Sequence, residues 1–205
     1  MASILQHSRP RQIHRRNLSV PEVWPLAVVV LVFLRCCLAT TSLKQTEPEV
    51  DLPVTSGSSC LRDNRHYIIT ISKDNRLFFN VDDEPYRTMV IEQVASLHGV
   101  QLTYMQQQEM HRLPYIGMDV RRLPEYFSSS QMQRYALLKT GVPAGQLGEY
   151  IDATRRVFRE CAGKPSFCFI RADKKTPFAA IRPIIELLQQ QNINRFNLRT
   201  TWGVM

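Results

Sequence analysis

Apolar and polar positions follow three different rhythms along the chain. From about Val23 to Thr41 they hardly alternate: "WPLAVVVLVFLRCCLAT" is apolar nearly throughout, with Arg35 as its one charge. A helix crossing a bilayer core of roughly 30 Å needs about 20 residues, so this run predicts a spanning helix over 23–41, just long enough. Further on, "HYIITISKDNRLFFNV" alternates and breaks at Lys73-Asp74-Asn75, the pattern of a hairpin with strands near 66–72 and 76–81. Tyr86 to His98 returns to a helical period, with Met89, Val90, Val94 and Leu97 expected toward a core and Gly99 as the stop. From 101 to 144 the signal weakens into short helices broken by Pro114, Pro124, Gly141 and Pro143.

The last third is the clearest. Gln146 to Arg159 has a helical period, "SFCFI" (Ser166 to Ile170) is a continuous apolar strand, and "PFAAIRPIIELLQQ" sets Phe178, Ile181, Ile185 and Leu188 on one stripe before the strand "RFNLRT" (Arg195 to Thr200). Strand, amphipathic helix and strand in short succession make a βαβ unit with parallel strands. Pro183 removes a backbone hydrogen bond inside the helix, so a kink or a later start is expected there. The fold class that follows is α+β: a single N-terminal transmembrane helix, then a small domain with a mixed sheet and a C-terminal βαβ unit. The boundaries are a basic tail 1–22, a span 23–41, a linker 42–65 and a folded domain 66–205.

The linker, "LKQTEPEVDLPVTSGSSCLRDNR", has prolines, a Gly-Ser run and no sustained period. Within it Val50, Asp51, Leu52 and Pro53 form an extended patch. It suits pairing with a strand edge on a partner or on the folded domain, and reads equally well as plain linker.

Charge decides orientation more than its total of +8 does. Arg9, Arg11, Arg15 and Arg16 precede the apolar run, while Glu47, Glu49 and Asp51 follow it. Short flanks rich in Lys and Arg stay cytoplasmic, which puts the bulk of the chain on the far side. The same arginines carry no aromatic or helical recognition pattern, so no nucleic-acid partner is expected. A cleavable signal is the competing reading, with "CLA" ending at Ala39 as its cleavage site. Arg35 and the long basic segment argue for an uncleaved anchor. Four to five residues from the outer end, Arg35 either snorkels toward headgroups or faces a protein partner.

Motifs for chemistry are missing. Histidines 7, 14, 66, 98 and 111 make no i, i+4 metal pair, and no Cys-x-x-Cys, P-loop, dinucleotide fingerprint or nucleophile elbow occurs. No enzyme activity, cofactor or metal is therefore expected. Cys36 and Cys37 belong to the span. Among Cys60, Cys161 and Cys168 one disulfide is possible on the oxidising side, although Cys168 inside a strand suits the core better. Asp173 and Lys174 sit where a strand turns into a helix, and Asp173 there reads as a turn stabiliser.

The order of parts, with "VDLP", "ISKDNRLFFN" and "FIRADKKTPFAAIRPIIELLQQQNINRFNLRTT", resembles the ExbD/TolR family of biopolymer-transport proteins. Ala172-Asp173-Lys174, Pro177-Phe178 and "INRFNL" ending at Leu198 are similar to that family's closing strand-helix-strand, the last in its Bacteroidetes form. The likeness covers about 20 to 202, and the segment 101–145 looks like an insert those homologues carry. It implies a bacterial inner-membrane subunit with a periplasmic domain, working with an ExbB/TolQ-like ring and a TonB/TolA-like rod protein. It also implies a homodimer, or a heterodimer with a paralogue. Family members place an aspartate in the span, and this chain has no Asp or Glu between Val23 and Leu43. An accessory motor subunit is thus expected, with Arg35 and Val50 to Pro53 as candidate partner contacts. The other reading is a periplasmic binding or scaffold module for peptidoglycan or a rod protein, anchored or released by cleavage.

Overall fold

A computed structural model describes residues 20–40, 47–55, 65–163, 165–199 and 201–202. The chain divides into two compact units, residues 1–44 and 45–205. The first contains α1 (Val20–Thr40), a helix of 21 residues with Pro25 in its second turn. From Trp24 to Cys37 its side chains are exposed, Trp24, Leu31 and Phe33 each by more than 60%. Among the described residues no helix is long and apolar enough to cross a membrane.

The second unit is α+β, built on a mixed four-stranded sheet. Its strands are β2 (His66–Ile71), β3 (Leu77–Val81), β4 (Phe167–Ala172) and β5 (Phe196–Leu198), in the order β3-β2-β4-β5. β2 and β3 form the antiparallel hairpin that alternation predicts. Its turn closes with Asn75 at φ +58°, a conformation Asn tolerates, and with the Ser72 amide bonded to the Arg76 carbonyl at 3.0 Å. β2 pairs parallel with β4, and β4 with β5. α7 (Phe178–Gln190) links the last two strands, which completes the βαβ unit.

Side chains of one sheet face make the core. Tyr67, Ile69 and Ile71 of β2, Phe79 and Val81 of β3, and Cys168 and Ile170 of β4 meet helices α2 (Glu84–Leu97) and α6 (Ala144–Ala162). Phe79 stacks on Tyr150 with centroids 5.6 Å apart, and Tyr86 meets Phe158 at 4.7 Å.

Two helical stripes differ from expectation. In α2 the buried apolar set is Val90, Ile91, Val94 and Ala95, while Met89 and Leu97 are 41% and 67% exposed. The stripe is rotated by about one residue, because α2 lies against both β3 and α6 and buries the side between them. In α7 the buried pair is Ile184 and Leu188, with Ile185 half-buried and Phe178 68% exposed. The helix begins at Phe178 and runs through Pro183, so a later start is not what happens. Pro183 is the sixth residue, close enough to the free N-terminal amides that few hydrogen bonds are affected.

The segment 101–145 folds as α3 (Tyr104–Glu109), α4 (Leu123–Ser128) and α5 (Gln131–Leu138), with 3-10 turns at Met110–Arg112 and Val120–Arg122. It covers the outer edge of β3: Phe79 and Ile116 exchange backbone hydrogen bonds of 2.9 and 2.8 Å, and the Val142 amide reaches the Leu77 carbonyl at 2.7 Å. An edge capped in this way cannot template another strand. Gly117 makes the close approach possible, since a Cβ there would lie 2.1 Å from the Leu138 carbonyl oxygen.

Candidate functional site

The segment read as linker is in part a strap on the domain. Residues 47–55 lie on the domain, with Glu47 on the sheet face opposite the helices and Asp51 at the loop after β4, and end in β1 (Val54–Thr55), which pairs parallel with β6 (Thr201–Trp202). Three kinds of contact hold it. At its start the Glu47 carboxylate accepts hydrogen bonds from the Asn80 side chain on β3 and from the Arg171 guanidinium on β4, the latter at 3.0 Å. In its middle Val50 is buried to 7% exposure. Beyond that, the Asp51 amide donates to Asp173 Oδ2 at 3.1 Å, and the Asp51 carbonyl accepts from the Lys174 amide at 2.6 Å.

Alternation along the strands explains the polar cluster under Glu47. Asn80 stands opposite Ile68, and Arg171 opposite Thr70, so both point to the strap face while their neighbours fill the core. Arg87 of α2 joins them. It is buried, donates through Nη1 to the Val81 carbonyl at 3.2 Å and to Asn80 Oδ1 at 3.4 Å, and its Nε has no partner among the described residues. Burial pulls its guanidinium below the ordinary value, against an upward pull from Glu84, Asp82 and Glu47. Glu47 thus brings a negative charge from the strap to a face that carries Arg171 directly and Arg87 through Asn80. At partial burial the charges attract more strongly than in water, and the cost of desolvating them offsets part of that gain.

Asp173 stabilises its turn, as the sequence suggests. Its Oδ1 accepts from the Lys175 amide at 2.9 Å and its Oδ2 from Asp51, which fixes the β4–α7 loop and the strap together. Its carboxyl is held below the usual range, first by the Lys175 amide and also by the Asp51 amide and the nearby lysines. The Lys174–Asp51 pair at 3.0 Å is largely exposed and adds little.

The candidate partner residues therefore separate. Val50 is buried against the domain, Leu52 is half-buried, and Asp51 and Pro53 are exposed. Among the described residues, Val50 to Pro53 pair with no strand edge of the domain; only the next two residues, β1, do so, with β6. Arg35 is exposed on α1. Sequence reasoning missed Glu47, Asn80, Arg87 and Arg171. The available signal was Arg87, a charge three and four residues before Val90 and Ile91 on the apolar stripe of α2.

Cys161 is exposed and Cys168 buried, and neither is in a disulfide; Cys60 lies outside the described residues. Burial pushes the Cys168 thiol up to about 12, and the hydrogen bond with Tyr67 only partly offsets this. Among the described residues no group of three or more His, Cys, Asp or Glu is placed to hold a metal ion. Comparison of the chain with family models, with curated proteins and with solved structures finds no match.

Proposed function

We propose that the chain is an inner-membrane subunit of a proton-motive-force-driven energy-transducing complex of the ExbB–ExbD or TolQ–TolR type, serving TonB- or TolA-dependent transport across the outer membrane. In this reading the apolar run of the sequence from Val23 to Thr41 anchors it, N-terminus inside, and the second unit works in the periplasm. The apolar run of the sequence extends from Val23 to Thr41, beyond the side chains described from Trp24 to Cys37, and its 19 residues suit a hydrocarbon core of about 30 Å. One observation carries the reading. The segment joining the apolar helix to the domain is docked by Glu47, Val50 and Asp51, so a pull on it reaches these contacts before it reaches β2. Once undocked, residues 47–65 would extend up to about 65 Å. A force-transmitting subunit needs that kind of tether.

Proton work in such a motor needs a carboxylate in the span, where burial raises the pKa enough for loading and release. With no Asp or Glu between Val23 and Leu43, this chain acts as the accessory partner of a paralogue that supplies one. That same absence favours a second reading, a periplasmic scaffold that binds peptidoglycan or a rod protein without using the gradient. Alkaline extraction of membranes, followed by co-purification with a ring protein, separates the two. The motor reading predicts retention in the membrane and recovery of the ring, reduced by Arg35→Leu if Arg35 faces a ring acid. Release into the soluble fraction without a ring partner favours the scaffold.

A further inference from the structure

The end of the domain where the parallel strands begin carries a separate feature. α6 stops at Gly163, whose φ of +62° lets the chain reverse, and Pro165 and Ser166 lead into β4. A cavity of about 230 Å³ lies there, lined by Arg155, Arg159, Gly163, Pro165 and Ser166. Arg155 and Arg159 are four residues apart and so share one face of α6.

These groups are not used up by the fold. Arg155 donates one Nη1 bond to the Gln191 carbonyl at 2.7 Å and reaches Asp152 only at 4.0 Å. Arg159 makes no ion pair among the described residues. The Ser166 hydroxyl is buried and has no hydrogen-bond partner among the described residues. On the other side of the first residues of β4, Arg195 lines a second cleft with Phe167 and Asn197 and likewise has no ion pair among the described residues. Arg155, Arg159 and Arg195 thus bring positive charge to this end, and the cavity is lined by two arginines and a serine.

A planar carboxylate, with two oxygens, is satisfied by a single guanidinium fork. Two arginines from one face of α6 and a serine leading into β4, lining one cavity, suit a tetrahedral group with three or more acceptor oxygens. The volume is below the roughly 300 Å³ at which sites for larger ligands begin, so the occupant is small or is the head of something larger. We propose that this cavity binds a phosphate group, with Arg159 and Arg155 as the charge-bearing donors and Ser166 as a hydroxyl donor. Free phosphate and the phosphodiester of a lipid headgroup share this chemistry.

The test is calorimetric titration of the full-length chain in nonionic detergent at constant ionic strength, with inorganic phosphate and, separately, with glycerophosphoglycerol, the soluble headgroup of phosphatidylglycerol. Saturable binding of phosphate identifies the free ion as a ligand, and binding of glycerophosphoglycerol alone identifies the lipid source. In either case Arg159→Gln weakens the interaction about tenfold and Ser166→Ala about threefold, as loss of charged and neutral hydrogen bonds does. Arg182→Gln, on the exposed side of α7, leaves it unchanged. No heat with either probe up to about 10 mM overturns the proposal. So does an affinity that Arg159→Gln leaves unaltered.

Discussion

Replacing Glu47 with alanine removes the anchor at the start of the strap, and the consequence can be worked through. The carboxylate receives hydrogen bonds from Asn80 and Arg171, and the Glu47 and Arg171 side chains are 18% and 22% exposed. A hydrogen bond to a charged group contributes about 1.5–3 kcal/mol, and partial exposure holds this pair to about 2 kcal/mol. If the strap opens as a unit, that loss raises its open population about 30-fold, since about 1.4 kcal/mol is a factor of ten. The assay is amide hydrogen exchange of the full-length chain. The Lys174 amide, which donates to the Asp51 carbonyl, and the Asp51 amide, which donates to Asp173, report strap opening. The Ile69 amide, in the sheet interior, reports opening of the domain. Glu47→Ala is expected to speed exchange at Lys174 and Asp51 by about 30-fold while leaving Ile69 unchanged. Val50→Ala acts in the same direction, by about tenfold, for the apolar area it removes. Lys174 exchange unchanged in Glu47→Ala would refute the strap as a cooperative unit, because Glu47 does not touch Lys174. Equal acceleration at Ile69 would show that only global stability had changed.

Gly117→Ala puts a Cβ 2.1 Å from the Leu138 carbonyl oxygen and 2.8 Å from the Phe78 ring, so denaturant unfolding should show a loss of about 3 kcal/mol or more. Asp173 has its pKa depressed in the folded chain, so the stability it adds is present above the ordinary carboxylate value of 3.8 and is lost as pH falls through the lower folded value. Asp173→Asn should therefore flatten the fall in strap protection below about pH 4, read by the same exchange assay. Alkylation at pH 8 followed by site mapping should modify the exposed Cys161 quickly and leave Cys168 intact, since its thiol is buried and shifted upward. Rapid labelling of Cys168 in the folded chain would contradict its placement in the core.

The sequence made the sheet legible where periodicity was strong. β2, β3 and β4 fall within two residues of the expected limits, because alternation and continuous apolar runs are local signals of burial on one or both faces. The buried stripes of α2 and α7 were less legible. Met89 and Phe178 are as apolar as their buried neighbours, and which side of a helix faces inward depends on the elements packed around it. The strap was least legible. Its polar, proline-bearing composition is that of a linker, and its order comes from side chains 33 and 124 positions away, Asn80 and Arg171 on Glu47. No local pattern records such contacts. Arg87, on the same stripe of α2 as Val90 and Ile91, was the one visible trace of that polar cluster.

The most direct measurement is isolation of the full-length protein from membranes, with mass spectrometry of its partners and of its own N-terminus. The account predicts an intact N-terminus, an ExbB/TolQ-like ring protein and a second, aspartate-bearing ExbD-like chain in the same complex. A mature chain beginning near Thr40 with no ring partner would mean that "WPLAVVVLVFLRCCLAT" is an export signal, and would contradict the motor reading.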